Sequence, residues 1–221
     1  MGMSRKEIIA HLFPGRFPGL YSTLDNPIKV PVQEAAYRLA HDKYLKPGNS
    51  VLDVGCGLGY GLEILANRAR RLAGIEIDQR AVRKGLGLIG HIHGLVEIRQ
   101  YNGVQIPYNA GAFDLVTCVD VLEHVRDYMA LIQEMVRTAA SIVLISTPNR
   151  RPEFTRSNGK PKNPWHLREW TYHELDAILN QLSNVVVEWN FINGSWEGPF
   201  SISGNPEDDT LALSPVLVIK K

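Results

Sequence analysis

Cysteine is scarce: Cys56 and Cys118 are the only two in 221 residues. Each sits in an apolar stretch that reads as a buried strand or its end, which argues against a disulfide framework. Long apolar runs are missing as well. No segment approaches eighteen consecutive apolar residues, and MGMSRKEIIAHLFPG carries no apolar run behind its basic residues, which speaks against a membrane span and a secretory signal. Met1-Gly2 lacks the Ser or Thr that a myristoylation signal wants where Lys6 stands. Charge of one sign is not in excess either: 24 basic and 23 acidic side chains leave no positive field for nucleic acid. These absences lead us to expect a cytoplasmic protein with no nucleic-acid partner and no membrane contact; oligomeric state is left open.

What is present is a chain 44% hydrophobic, long enough for one sizeable α/β core and short for two independent domains. Residues 1–46 read as an arm rich in Pro, Gly and aromatics followed by a helix in PVQEAAYRLAHDKYL, and residues 47–221 as the main domain. Strand patterns in SVLDVG, LAGIEI, LVEIRQ, FDLVTCVD and SIVLIST alternate with helices at 60–69, 78–90 and about 124–138. Helix 171–182 then precedes strands near 185–192 and 214–220. The expected fold is a Rossmann-like, doubly wound, mostly parallel seven-stranded sheet with helices on both faces.

Gly55, Gly57 and Gly59 follow the first strand directly, where missing Cβ atoms let the turn bend sharply and a ligand approach the backbone. The dinucleotide fingerprint needs a small residue three positions beyond its second glycine, and Tyr60 or Leu62 stands there instead. No G-x-x-x-x-G-K-[ST] phosphate loop occurs. The turn therefore suits a ligand without a pyrophosphate. Glu76 ends the second strand, where a carboxylate can accept from both hydroxyls of a ribose, and Asp78 can cap the next helix.

VLDVGCGLGY, AGIEID, FDLVTCVDVLEHV and ISTPNR, in this order and spacing, resemble the class I S-adenosylmethionine-dependent methyltransferases over roughly residues 50–182. The quinone-biosynthesis O-methyltransferases are similar at LEHV and ISTPNR, and HLREWTYHEL looks like a segment of bacterial methyltransferases acting on sugars and other small molecules. The resemblance implies S-adenosylmethionine as cofactor. It assigns Asp53 and the backbone of Gly55 and Gly57 to the methionine end, with Gly59 in the same turn. Glu76 goes to the ribose, with Ile77 beside it. Asn102, with Gly103 beside it, falls where many relatives carry an Asp for the adenine amine. An amide oxygen can accept the same bond without charge. Asp120 lies at the carboxyl edge of the sheet, where open α/β sheets bind ligands.

His124 opens the helix after the fourth strand and His166 lies in NPWHLREW; both are catalytic candidates, as bases or acceptor-positioning groups. His124 also has a plain reading, in which Glu123 and His124 tie the loop down. His91 and His93 have a spacing that suits a metal, but no Cys or carboxylate cluster accompanies them, so no metal site is expected. The expected acceptor is a small molecule, by resemblance a hydroxyl oxygen, and Arg150, Arg151, Arg156, Lys160 and Lys162 would suit an anionic one. Residues 1–30 and 148–170 are too long and irregular for plain connections and are expected to close over the site. Competing readings are N-methylation of a small amine, a nicotinamide-dependent oxidoreductase, and a catalytically silent cofactor-binding module.

Overall fold

The computed structural model describes residues 31–90, 92, 96–194, 199–206 and 212–221. Eight strands form one sheet: β1 Ser50–Val54, β2 Arg71–Glu76, β3 Val96–Gln100, β4 Phe113–Val119, β5 Ala139–Ser146, β6 Val186–Gly194, β7 Phe200–Ser203 and β8 Ser214–Lys220. Their order is β3-β2-β1-β4-β5-β8-β6-β7. Neighbours from β3 through β5 pair in parallel, while β8 runs against both β5 and β6, and β7 against β6. The strand missing from the expected seven is β7. Its four residues FSIS are half or fully exposed, so they show no apolar run by which to read a strand.

Period-2 alternation splits the central strands between two cores. Val51, Leu72, Leu115 and Leu144 face one, Leu52, Ala73, Val116 and Val143 the other. On the first face pack α1 Pro31–Leu39, α2 Tyr60–Leu65 and α3 Gln79–Ile89; on the second, α4 Tyr128–Thr138 and α5 Tyr172–Leu179. Cys56 and Cys118 are free, buried and on opposite faces. Among the described residues no helix is long and apolar enough to cross a membrane.

Local chemistry sets the helix starts. Asp78 caps α3 by accepting from the Arg80 N–H, and Thr171 and Glu174 form a capping box on α5. The helix expected from about 124 starts at Tyr128, because the Asp127 side chain caps Ala130 N–H and a separate 3₁₀ turn occupies Leu122–His124. The chain leaves β1 toward β2 and β3 on one side and resumes at β4 and β5 on the other. The topological switch therefore lies between β1 and β4, and their carboxyl ends open the crevice where such sheets bind ligands.

Candidate active site at the switch between the first and fourth strands

The three glycines after β1 serve different ends. A Cβ on Gly55 would lie 2.5 Å from Val121 of the loop after β4, so this glycine lets the two loops touch. A Cβ on Gly59 would meet Ile89 at 2.7 Å, so that glycine seats α3. Gly57, at φ +53°, has nothing within 4 Å of its Cβ position. Its backbone faces open space.

Glu76 reaches back to this turn. Its Oε2 accepts from Gly57 N–H at 3.0 Å, and its Oε1 from Ile77 and Asp78 N–H at 2.8 and 3.1 Å. Burial raises its pKa, and the three backbone donors oppose that shift by favouring the charged form. Beyond it Ile77 is 57% exposed, and a Cβ on Gly103 would come within 3.5 Å of its Cγ2. Ile77 and Gly103 therefore sit side by side. The Asn102 Oδ1 turns into its own loop, accepting from Val104 and Gln105 N–H at 3.1 and 2.8 Å. Since both partners are donors, the amide nitrogen is the group left to face outward.

Asp53 is wholly buried beneath the turn. Thr117 Oγ1 donates to it at 2.7 Å, and Tyr37 Oη of α1 to its two oxygens at 3.0 and 3.2 Å. Burial pushes its pKa up to about 7, against the pull of these bonds. Asp120 holds a left-handed backbone (φ 51°), uncommon for a side chain with a Cβ, and its Oδ1 accepts from Ser146 Oγ at 2.8 Å.

His124 and His166 meet edge to face, ring centres 5.0 Å apart. His124 Nδ1 lies 3.0 Å from the Trp165 carbonyl oxygen, and the Leu167 N–H donates to the Glu123 carbonyl at 2.9 Å. The 148–170 segment is thus tied to the loop after β4, while the arm at 1–30 lies outside the described residues. Glu123 is fully buried against both imidazoles, and Glu169 pairs with His166. Sequence reasoning gave neither carboxylate a place in the site, although LEHV and HLREW contain them. Tyr37 was also missed, because helical spacing marks it only as core. Of the basic group, Arg150 pairs with Glu174, Arg151 with Glu153, and Lys162 donates to the Glu153 carbonyl. His91 and His93 lie outside the described residues.

A family model for a methyltransferase domain matches residues 31–186. The chain belongs to that methyltransferase family. It is 33% identical, over 68% of its length, to a probable S-adenosylmethionine-dependent methyltransferase of Mycolicibacterium smegmatis, covering 55% of that protein. It is 34% identical over 66% of its length to ajmaline N-methyltransferase of Rauvolfia serpentina, covering 51%. Ubiquinone biosynthesis O-methyltransferase of Hahella chejuensis is 33% identical over 48% of this chain, with 46% of that enzyme covered. The chain spans about half the length of the curated relatives it matches. Among solved structures, a SAM-dependent methyltransferase from Aquifex aeolicus shares the fold at a TM-score of 0.64 and 16% identity, covering 93% of this chain and 99% of that one.

Proposed function

We propose that this protein binds S-adenosylmethionine at the glycine turn and transfers its methyl group to a hydroxyl of a small molecule. The observation that carries this reading is the pairing of the Glu76 carboxylate with the open backbone of Gly57, beside the loop that bears His124. The residues present fit the cofactor. Gly57 leaves room against the main chain, Glu76 offers a charged acceptor for ribose hydroxyls, and exposed Ile77 beside Gly103 offers an apolar face for a base. Asn102, with its oxygen engaged, would present a donor to a ring nitrogen in place of an acceptor for the adenine amine. Asp53 supports the turn from below, and Gly55 and Asp120 bring the acceptor side against it.

When bound, the cofactor supplies a sulfonium methyl whose departing thioether is neutral. That methyl would pass from sulfur to an acceptor oxygen, whose proton would have to go to a base or to solvent. The chain's task is positioning, exclusion of water and care of that proton. His124 and His166 are the groups proposed for the acceptor side. The ubiquinone-pathway relative favours an oxygen acceptor and the ajmaline relative an amine, the second reading. Incubation with methyl-labelled S-adenosylmethionine and panels of hydroxyl and amine acceptors, read by mass spectrometry, decides between them. Cofactor binding without any labelled product from either panel would favour a silent binding module.

A further inference from the structure

The loop after β4 and the 148–170 segment bring Glu123, His124 and His166 to one point, with one ligand atom from each and all three atoms within 4.8 Å of one another. The Oε2 of Glu123 accepts from Thr147 Oγ1 at 3.2 Å. Its Oε1 lies 3.6 Å from Nε2 of His124 and 4.0 Å from Nε2 of His166, which is longer than a hydrogen bond.

The far nitrogens fix the tautomers. A carbonyl oxygen only accepts, so the Trp165 carbonyl calls for a proton on Nδ1 of His124, and the neutral ring then carries its lone pair on Nε2, the nitrogen that faces Glu123. In His166, Nδ1 lies 2.5 Å from the Glu169 carboxylate. The Asn163 Oδ1 accepts from Trp165 N–H, so the Asn163 amide nitrogen is the atom that faces Nε2 of His166, at 2.8 Å. That Nε2 therefore accepts too. Two imidazole nitrogens and a carboxylate oxygen thus lie around one point, a donor set that suits a divalent cation. A carbonyl and a carboxylate on the outer nitrogens are also the supporting shell that metal-ligating histidines use.

We propose that Glu123, His124 and His166 form a site for a divalent transition-metal ion such as Zn²⁺ or Mn²⁺. Three protein ligands leave coordination positions open. Ligand atoms about 2.1 Å from a shared ion stand roughly 3.4 Å apart in a tetrahedron, so the two rings must draw in by about 1 Å and Asn163 must release Nε2 of His166. What the ion does rests on the methyl-transfer reading: it would hold an acceptor oxygen and ease loss of its proton, close to Val121 and hence to the glycine turn. His124 and His166 would then act through the ion and not as bases.

The test is calorimetric titration of the chelator-stripped full chain with ZnCl₂ and MnCl₂, without cofactor or acceptor. One equivalent of at least one ion should bind, and Glu123→Gln should weaken it by more than tenfold. The half-exposed His124→Gln should do the same and serves where a change at buried Glu123 prevents folding, with circular dichroism reporting the fold. Glu169→Gln, in the supporting shell, should cost roughly 10–100-fold. No saturable binding of either ion up to about 1 mM, a limit worth only ~4 kcal/mol, would overturn the site, as would binding that both ligand variants leave unchanged. A protein that takes the ion but neither S-adenosylmethionine nor its demethylated product keeps the site and loses the methyl-transfer reading. Methyl transfer without ion binding does the reverse.

Discussion

Tyr37 Oη lies 3.0 and 3.2 Å from the two carboxylate oxygens of Asp53, joining helix α1 to the strand end beneath the glycine turn. Both residues are buried, so the bond cannot be replaced by water. Tyr37→Phe should destabilise the protein by about 1–3 kcal/mol, the cost of leaving a buried acceptor short of a donor. Because that bond favours the ionised carboxylate, the loss measured by urea denaturation should be larger at pH 8 than at pH 5. An equal loss at both would show that Asp53 does not change charge between them.

Asp53 itself should make stability pH-dependent. Its pKa in the folded chain, pushed up to about 7 by burial, exceeds the ordinary value of about 3.9. The folded state then holds a proton that the unfolded state has released. The group's contribution is fully present below about pH 4 and is lost as pH rises through 7, by at most ~4 kcal/mol. Asp53→Asn should flatten this part of the profile in urea unfolding between pH 5 and 8. A slope unchanged in the variant would mean another group carries it.

Glu76→Ala should weaken S-adenosylmethionine binding by roughly 1–3 kcal/mol, since a charged acceptor is removed from the turn. The same change leaves Gly57, Ile77 and Asp78 N–H without their acceptor, so the melting temperature should fall too. Glu76→Gln keeps one acceptor oxygen and should fall between. Calorimetry with cofactor and with NAD reads the affinities. Strong NAD binding with no response to S-adenosylmethionine would contradict the proposed function.

Alanine at Gly57 and at Gly59 should separate ligand space from packing. Both glycines have positive φ, which costs an L-residue roughly 1–2 kcal/mol. Gly57→Ala meets no protein atom and should cost little more, while its methyl group intrudes where the cofactor approaches and cofactor affinity falls. Gly59→Ala drives into Ile89 and should add about 1–3 kcal/mol of overpacking. Thermal unfolding alongside calorimetry would show whether the two effects divide in this way.

Much of the sheet and of the glycine turn was legible because it is local. The central strands are buried on both faces and read as continuous apolar runs. Three glycines directly after one strand and a Glu closing the next lie close in sequence to the turn they build. Asp78 as the cap of α3 follows from chemistry within a few residues. β7, by contrast, is short and exposed and carries no such signature.

The sequence by itself determined the doubly wound, mostly parallel sheet and the sharp glycine turn after its first strand, since these follow from hydrophobic period and from which backbone a Cβ would obstruct. Only the tertiary structure decided what the residues around that turn meet. His124 contacts a carbonyl 41 residues away, and Tyr37 caps Asp53 from a helix that its own periodicity marks simply as apolar. The Asn102 oxygen turns inward, and the glycines divide between packing and open space. Such choices depend on how loops close over the sheet and which side chains then compete for each donor. The cost of that closure is entropic and nearly independent of composition, so it leaves little trace along the chain.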